Sequence, residues 1–170
     1  MRNRFDKELE NLNNEIIEMG TMIISAIENS VCALINQDMS TVKVVNELEN
    51  EIDRMEKVIE SHCMRLLIQQ QPVASDLRLI ETALKMITDM ERIGDNAEDI
   101  AEIVKYFENK RFIKDLIHIP KMAEVTISMV KRSVEAFVNK DKDLALQVCY
   151  DDDIVDGLFI TIKTELIEMI

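Results

Sequence analysis

The stretch LNNEIIEMGTMIISAIENSVCAL, residues 12–34, decides the fold class because its apolar side chains recur at helical spacing. Those positions are three or four apart: Leu12, Ile16, Met19, Ile23, Ile27, Val31 and Leu34. Such a stripe predicts an amphipathic helix, from about Asp6 to Asn36. The 170 residues include only 3 Gly and 2 Pro, a composition typical of long helices. The sequence therefore predicts an all-α protein.

Two further helices are predicted from the same periodicity. Ser40 is a candidate N-cap for a second helix that ends near Gln69. Pro72 suits the first position of a third helix, predicted to extend to Tyr106, because its missing N–H would be unpaired there anyway. The charged segment 108–119 is predicted to be a linker, and Pro120 opens a further apolar-periodic run.

The run after Pro120 repeats the beginning of the chain with an offset of 103 residues and no gap. Matching pairs include Ser30 with Ser133 and Asp38 with Asp141, and the loop Asn-Gln-Asp at 36–38 recurs as Asn-Lys-Asp at 139–141. The sequence therefore predicts tandem three-helix bundles: a first repeat at 1–107, a linker at 108–119 and a second repeat at 120–170.

The second repeat is predicted to lack its last helix, since position 170 aligns with position 67 and nothing follows. Five helices of an expected six leave an apolar flank uncovered. Either the chain is shortened or another chain covers this flank, and the second alternative predicts a homodimer.

The net charge of -13 excludes several classes of partner. It disfavours nucleic acid and anionic lipid surfaces through repulsion. The N-terminus has no apolar core typical of a secretory signal, and no stretch is judged long enough to span a bilayer, so we predict a cytoplasmic protein. Three widely spaced cysteines, Cys32, Cys63 and Cys149, indicate buried free thiols rather than disulfides or a zinc site.

Three acidic pairs at a spacing of four residues are the candidate metal ligands. They are Glu49 and Asp53, Glu91 and Asp95, and Asp152 and Asp156. This spacing places both carboxylates on one helix face, where they repel each other unless a cation offsets the repulsion. Oxygen ligands favour hard ions such as iron, manganese or magnesium, and zinc is also possible. The alternative is that these pairs are solvated acidic faces.

Two segments carry a family resemblance. Residues 70–78 read QQPVASDLR, and residues 90–95 read MERIGD. Together with the repeat, they resemble the PhoU family of phosphate-uptake regulators, whose hallmark is Gln-Gln-Pro-Val-Ala-x-Asp-Leu-Arg followed by Leu-Glu-Arg-Ile-Gly-Asp. Met90 replaces the leucine, and the resemblance covers essentially the whole chain.

The resemblance implies two three-helix bundles that bind metal ions, including multinuclear iron clusters, through Glu/Asp-x-x-x-Asp motifs matching the three pairs above. A cluster that needs the absent second Glu-Arg-Ile-Gly-Asp helix would be incomplete or shared with another subunit. The implied role is a cytoplasmic negative regulator that couples the phosphate ABC transporter, through its ATPase, to a phosphate-sensing histidine kinase.

Arg78 and Arg92 are candidate partner-binding residues, although pairing with nearby aspartates is the default interpretation. The two histidines, His62 and His118, do not form the Glu-x-x-His pattern of ferritin-like di-iron proteins. No phosphate loop or nucleophile motif is present, and no organic cofactor is indicated. We therefore predict a protein that is not an enzyme. A metal-free interaction module and, less favoured, a di-iron oxidoreductase remain the alternatives.

Overall fold

A computed structural model describes residues 2–70, 72–107, 110 and 112–169. Five helices contain most of them: α1 (Arg2–Asn36), α2 (Met39–Gln70), α3 (Ala74–Ile103), α4 (His118–Asn139) and α5 (Lys142–Glu168). A 3₁₀ turn, Val104–Tyr106, follows α3. The all-α class is confirmed. Of the segments predicted above, residue 71 of the glutamine motif, residues 108, 109 and 111 of the linker, and residue 170 lie outside the described part.

The core is a three-helix bundle of α1, α2 and α3, onto which α4 also packs. Its largest completely or almost completely buried side chains come from the predicted stripes: Leu12, Ile16, Met19, Ile23, Ile52, Ile59, Ile80 and Ile87. Val134 of α4 joins this cluster through a close approach at Gly20 of α1. A Cβ atom at Gly20 would lie 3.0 Å from Val134 Cγ2, so the glycine allows the two helices to meet there.

The duplicated loops have the same structure, which supports the repeat independently of sequence identity. Gln37 and Lys140 occupy equivalent positions, and both have left-handed backbone conformations, with φ of 52° and 55°. In each loop the next residue is an aspartate whose backbone N–H donates to a carbonyl of the preceding helix. Asp38 donates to Ala33 O at 3.1 Å, and Asp141 donates to the equivalent Ala136 O at 2.8 Å. A helix therefore ends and the next begins in the same way in both copies.

Three helix starts differ from those predicted. The backbone N–H of Ser40 donates to Asp38 Oδ1 at 2.9 Å, so Asp38, which directly precedes α2, is the N-cap instead of Ser40. The third helix begins at Ala74 rather than Pro72, after an extended Val73 with φ of -72° and ψ of 166°. The fourth helix begins at His118, which places Pro120 inside its first turn.

Helix α5 packs against α4 and leaves large apolar side chains exposed, as expected for a two-helix unit without a third helix over it. These side chains are Leu146, Tyr150, Ile154, Phe159, Ile160, Leu166 and Ile167. Two ion pairs hold α5 in place. Arg132 of α4 donates to Asp151, and Lys114 donates to Glu165 near the end of α5.

The cysteine prediction was correct for one residue and wrong for two. All three thiols are free, but Cys32 and Cys149 are exposed, while Cys63 is buried. Burial raises the pKa of the Cys63 thiol to about 11, so this thiol stays protonated at neutral pH.

One stretch of α1, within Arg4–Asn36, is long and apolar enough to span a bilayer by composition, with a mean hydropathy of 1.3 over 18 residues. The sequence argument had placed no such stretch in the chain. Core helices pass the same test, and Ile16, Met19 and Ile23 of this segment are completely buried in the bundle. The segment is therefore weak evidence for a membrane span.

Candidate metal centre

Helices α2 and α3 lie close together at Gly94, a buried residue of α3. A Cβ atom there would come within 3.2 Å of Ile52, so only glycine fits without displacing the buried isoleucine. Because Ile52 and Gly94 directly precede Asp53 and Asp95, this contact brings the two acidic motifs to the same level of the bundle.

Three of the six predicted ligands meet at this level. One carboxylate oxygen from each of Glu49, Asp53 and Asp95 lies within 4.8 Å of the others. Glu49 and Asp53 are half-buried, and Asp95 is exposed. Three acceptor-only groups at this distance repel each other, and a hard cation between them would replace the repulsion with attraction.

The raised pKa values of Glu49 and Glu91 show that further acidic side chains surround the trio and form an acidic surface with it. Partial burial raises the pKa of Glu49, and repulsion from Glu98, Asp53 and Asp95 raises it further. The pKa of Glu91 is raised by burial and then by Asp95, Glu56 and Asp53. Two aspartates of the trio, Asp53 and Asp95, thus raise the pKa of Glu91, although Glu91 is not one of the three clustered residues.

Glu56 and Glu98 are acidic members of this surface that sequence reasoning missed. The signal was present, because α2 and α3 carry the same pattern, Glu-x-x-x-Asp-x-x-Glu, at 49–56 and 91–98. Steps of four and then three residues keep all three carboxylates on one helix face. The Thr88 hydroxyl of α3 donates to Glu56 Oε1 at 3.3 Å, which links the two helices at this edge.

The third predicted pair does not join the others. Asp152 and Asp156 are exposed on α5, which packs against α4 rather than against α2 or α3. They remain candidate ligands in the second repeat, at the positions equivalent to Glu49 and Asp53.

Few cations balance the acidic surface within the described part of the chain. Lys57 Nζ lies 3.6 Å from Asp53 Oδ2, and both side chains are exposed enough for solvent to screen the pair. Arg92 lowers the pKa of Glu91, a smaller effect than those that raise it. Among the described residues, Lys57 is thus the cation that lies within 4.0 Å of a carboxylate of the trio.

Comparison with known proteins agrees with the repeat and the motifs. The family model described as PhoU domain matches residues 16–104 and 119–170, which include both repeats.

The chain belongs to the PhoU family.

Two relatives carry the name phosphate-specific transport system accessory protein PhoU homolog. The protein from Clostridium acetobutylicum is 38% identical over 99% of this chain and 77% of its own length. The protein from Pseudomonas aeruginosa is 34% identical over 96% of this chain and 68% of its own length.

Solved structures of PhoU proteins have the same fold. The crystal structure of PhoU from Pseudomonas aeruginosa superposes with a TM-score of 0.91 at 33% identity, covering 97% of this chain and 79% of that chain. The PhoU structure from Streptococcus pneumoniae gives a TM-score of 0.89 at 23% identity, covering 98% and 78%, and supports the fold alone.

The two arginines of the PhoU motifs differ in their contacts. Arg92 donates to Asp89 Oδ1 at 3.2 Å, as the default interpretation predicted. Arg78 Nε donates instead to the backbone carbonyl of Ala74 at 3.3 Å, and no carboxylate of the described residues lies within 4.0 Å of its guanidinium. Arg78 is thus the better placed of the two to meet a partner.

Proposed function

We propose that this PhoU-family chain is a cytoplasmic negative regulator of phosphate uptake and phosphate-starvation signalling. It acts by contact with the ATPase of the phosphate ABC transporter and with a phosphate-sensing histidine kinase, and it catalyses no reaction. The observation that carries the proposal is the match to accessory proteins of phosphate transport over 99% and 96% of the chain.

The proposed regulator binds metal ions on its carboxylate surface. Glu49, Asp53 and Asp95 supply oxygen ligands at one point, with Glu91 beside them. A bound iron, manganese, zinc or magnesium ion would neutralise charges on both α2 and α3 and so fasten one helix to the other. Asp152 and Asp156 would form a second, more exposed site, and the uncovered face of α5 supports a homodimer.

A metal-free interaction module is the second candidate. The ion pair between Lys57 and Asp53 favours it, because it offsets part of the negative charge without a metal. Elemental analysis of the purified protein, with its mass in solution before and after chelation, separates the two candidates. Stoichiometric metal supports ligation, whereas metal-free protein of unchanged mass supports the module.

Two variants make the metal test specific. Replacement of Glu91 and Asp95 together by alanine should lower the metal content. Replacement of Glu81, which lies on the same helix and pairs with Lys85 at 3.1 Å, should leave it unchanged. Equal metal content in both variants would count against Glu91 and Asp95 as ligands.

Co-purification tests the regulatory role. The tagged protein should retain the transporter ATPase and the histidine kinase from cells grown in high phosphate. Arg78→Glu should weaken this retention more than Arg54→Glu, because Arg54 is already paired with Glu51 at 2.6 Å. Retention of neither protein by the unaltered chain would overturn the proposal.

A further inference from the structure

A polar cavity of about 260 Å³ lies at one end of the first bundle, where α1 begins and α2 ends. Its residues on α2 lie closer to the end of that helix than Asp53 of the carboxylate trio does. Its walls are Arg4, Glu8, His62, Arg65, Leu66 and Gln69. Only one of these side chains is apolar, which distinguishes this cavity from the mainly apolar grooves beside α4.

His62 forms the buried wall of the cavity. Only 3% of its side chain is exposed, and both ring nitrogens face carboxylates of α1. Nδ1 lies 2.7 Å from Glu15 Oε2, and Nε2 lies 3.2 Å from Glu8 Oε2. The buried ring is thus held between two carboxylates of α1 at the inner end of the cavity.

Arg4 and Arg65 add two guanidinium groups to the same cavity. Arg54, Arg92 and Arg132 each pair with an acidic side chain. By contrast, no ion pair of the described residues includes Arg4 or Arg65, although the chain carries a net charge of -13. Two arginines that line one cavity and form no ion pair among the described residues supply the donors that an oxyanion site needs, and Glu8 is the acidic side chain of its wall.

We propose that this cavity binds a small tetrahedral oxyanion, with free inorganic phosphate as its ligand. Arg4 and Arg65 would hold the oxygens through their paired N–H groups, and the side-chain amide of Gln69 offers a further donor. The choice of phosphate among oxyanions rests on the proposed role in phosphate regulation. The site itself rests on its own side chains.

The charge of Glu8 provides a further test of the proposal. Its carboxylate lies on the cavity wall and faces His62, so it repels an incoming anion. Removal of this charge should therefore strengthen phosphate binding, whereas loss of a neighbouring arginine should weaken it. A general charge effect would shift phosphate affinity in the same two directions, so an arginine outside the cavity is the control that assigns the effect to this site.

Isothermal titration calorimetry of the purified chain with inorganic phosphate, at constant ionic strength, tests the proposal. We expect one saturable site. Arg4→Ala and Arg65→Ala should each weaken it by about tenfold or more, the usual effect of losing a charge-assisted hydrogen bond. Glu8→Gln should tighten it. Circular dichroism should show unchanged helix content, since both arginine side chains are exposed.

Arg54→Ala is the matched control, because Arg54 also lies on α2 and is exposed but pairs with Glu51 outside the cavity. It should bind phosphate as the unaltered chain does. Absence of a saturable site, equal weakening in the control, or stronger binding of glycerol 3-phosphate than of free phosphate would overturn the proposal.

The outcomes separate this inference from the regulatory role. If the transporter ATPase co-purifies with a chain that does not bind phosphate, only the oxyanion site is overturned. If the chain binds phosphate but retains neither partner protein, the site stands and the proposed regulatory contact is overturned.

Discussion

The substitution Glu49→Gln should stabilise the metal-free protein and at the same time weaken its response to metal. The carboxylate of Glu49 lies close to Asp53 and Asp95, and partial burial followed by repulsion from acidic neighbours raises its pKa. Glutamine keeps the size of the side chain and an oxygen acceptor but removes the charge. The variant therefore loses a repulsive contact and a charged ligand in one step.

The expected magnitudes follow from the number of contacts. One like-charge pair four residues apart on a helix costs about 0.2–0.5 kcal/mol, and the carboxylates of α3 add a similar cost. Without metal, Glu49→Gln should raise the free energy of unfolding by about 0.5–1 kcal/mol, which corresponds to a rise in Tm of about 1–4 °C for a chain of this size.

Bound metal should make the unaltered chain more stable than the Glu49→Gln variant, the reverse of the order expected without metal. A metal concentration of about 100 times Kd stabilises the unaltered chain by about 2.7 kcal/mol. If the variant binds about tenfold more weakly, the same concentration stabilises it by only about 1.4 kcal/mol. Differential scanning fluorimetry in chelator and in excess manganese measures both effects in one experiment.

Glu51→Gln is the matched control, since Glu51 is also on α2 but pairs with Arg54 and has 52% of its side chain exposed. It should change neither the metal-free Tm nor the shift caused by metal. The reasoning is refuted if Glu49→Gln melts below the unaltered chain in chelator. It is also refuted if metal raises the Tm of both proteins equally.

Four further substitutions test stability in chelator. Gly157→Ala should raise the free energy of unfolding by up to about 1 kcal/mol in urea titrations, since nothing lies within 4 Å of its Cβ position. Gly94→Ala should raise the free energy of unfolding by less, or lower it, because the new Cβ atom would lie 3.2 Å from the Ile52 side chain of α2. A rise equal to that at Gly157 would contradict this close packing. His62→Gln should lower the free energy of unfolding by about 1–3 kcal/mol, because two carboxylates lose their imidazole partner. An unchanged urea midpoint would contradict that contact. Asp38→Ala should lower Tm at neutral pH. Hydrogen bonds, of which the one from the Thr41 hydroxyl has the largest effect, lower the pKa of Asp38 from 3.8 to about 2. The contribution of Asp38 to stability is therefore present above pH 3.8 and is lost as the pH falls through about 2. A difference in Tm that persists below pH 2 would contradict this account.

The fold was predictable because helical periodicity and burial have the same cause. Five positions of the stripe in α1 are buried in the bundle, namely Leu12, Ile16, Met19, Ile23 and Ile27, and the repeat predicted a second loop with the same backbone. The start of α2 was less predictable. Asp38, Ser40 and Thr41 are all possible caps by residue type, and the hydrogen bonds that select Asp38 depend on the left-handed turn at Gln37.

The acidic surface was predicted in part. Spacing within a helix places Glu49 beside Asp53, but which other acidic residues face them depends on how α2 and α3 pack. The structure selects Asp95 for the trio and leaves Glu91 beside it. Contacts between helices such as that of His62 with Glu15, 47 residues apart, have no signal in a single sequence.

A reporter driven by a phosphate-starvation promoter tests the regulatory claim most directly, in the organism that encodes this protein. The account predicts that deletion of the gene switches the reporter on in high phosphate, and that the intact gene restores repression. A reporter that stays silent in the deletion strain, and responds normally when phosphate is removed, would contradict the account.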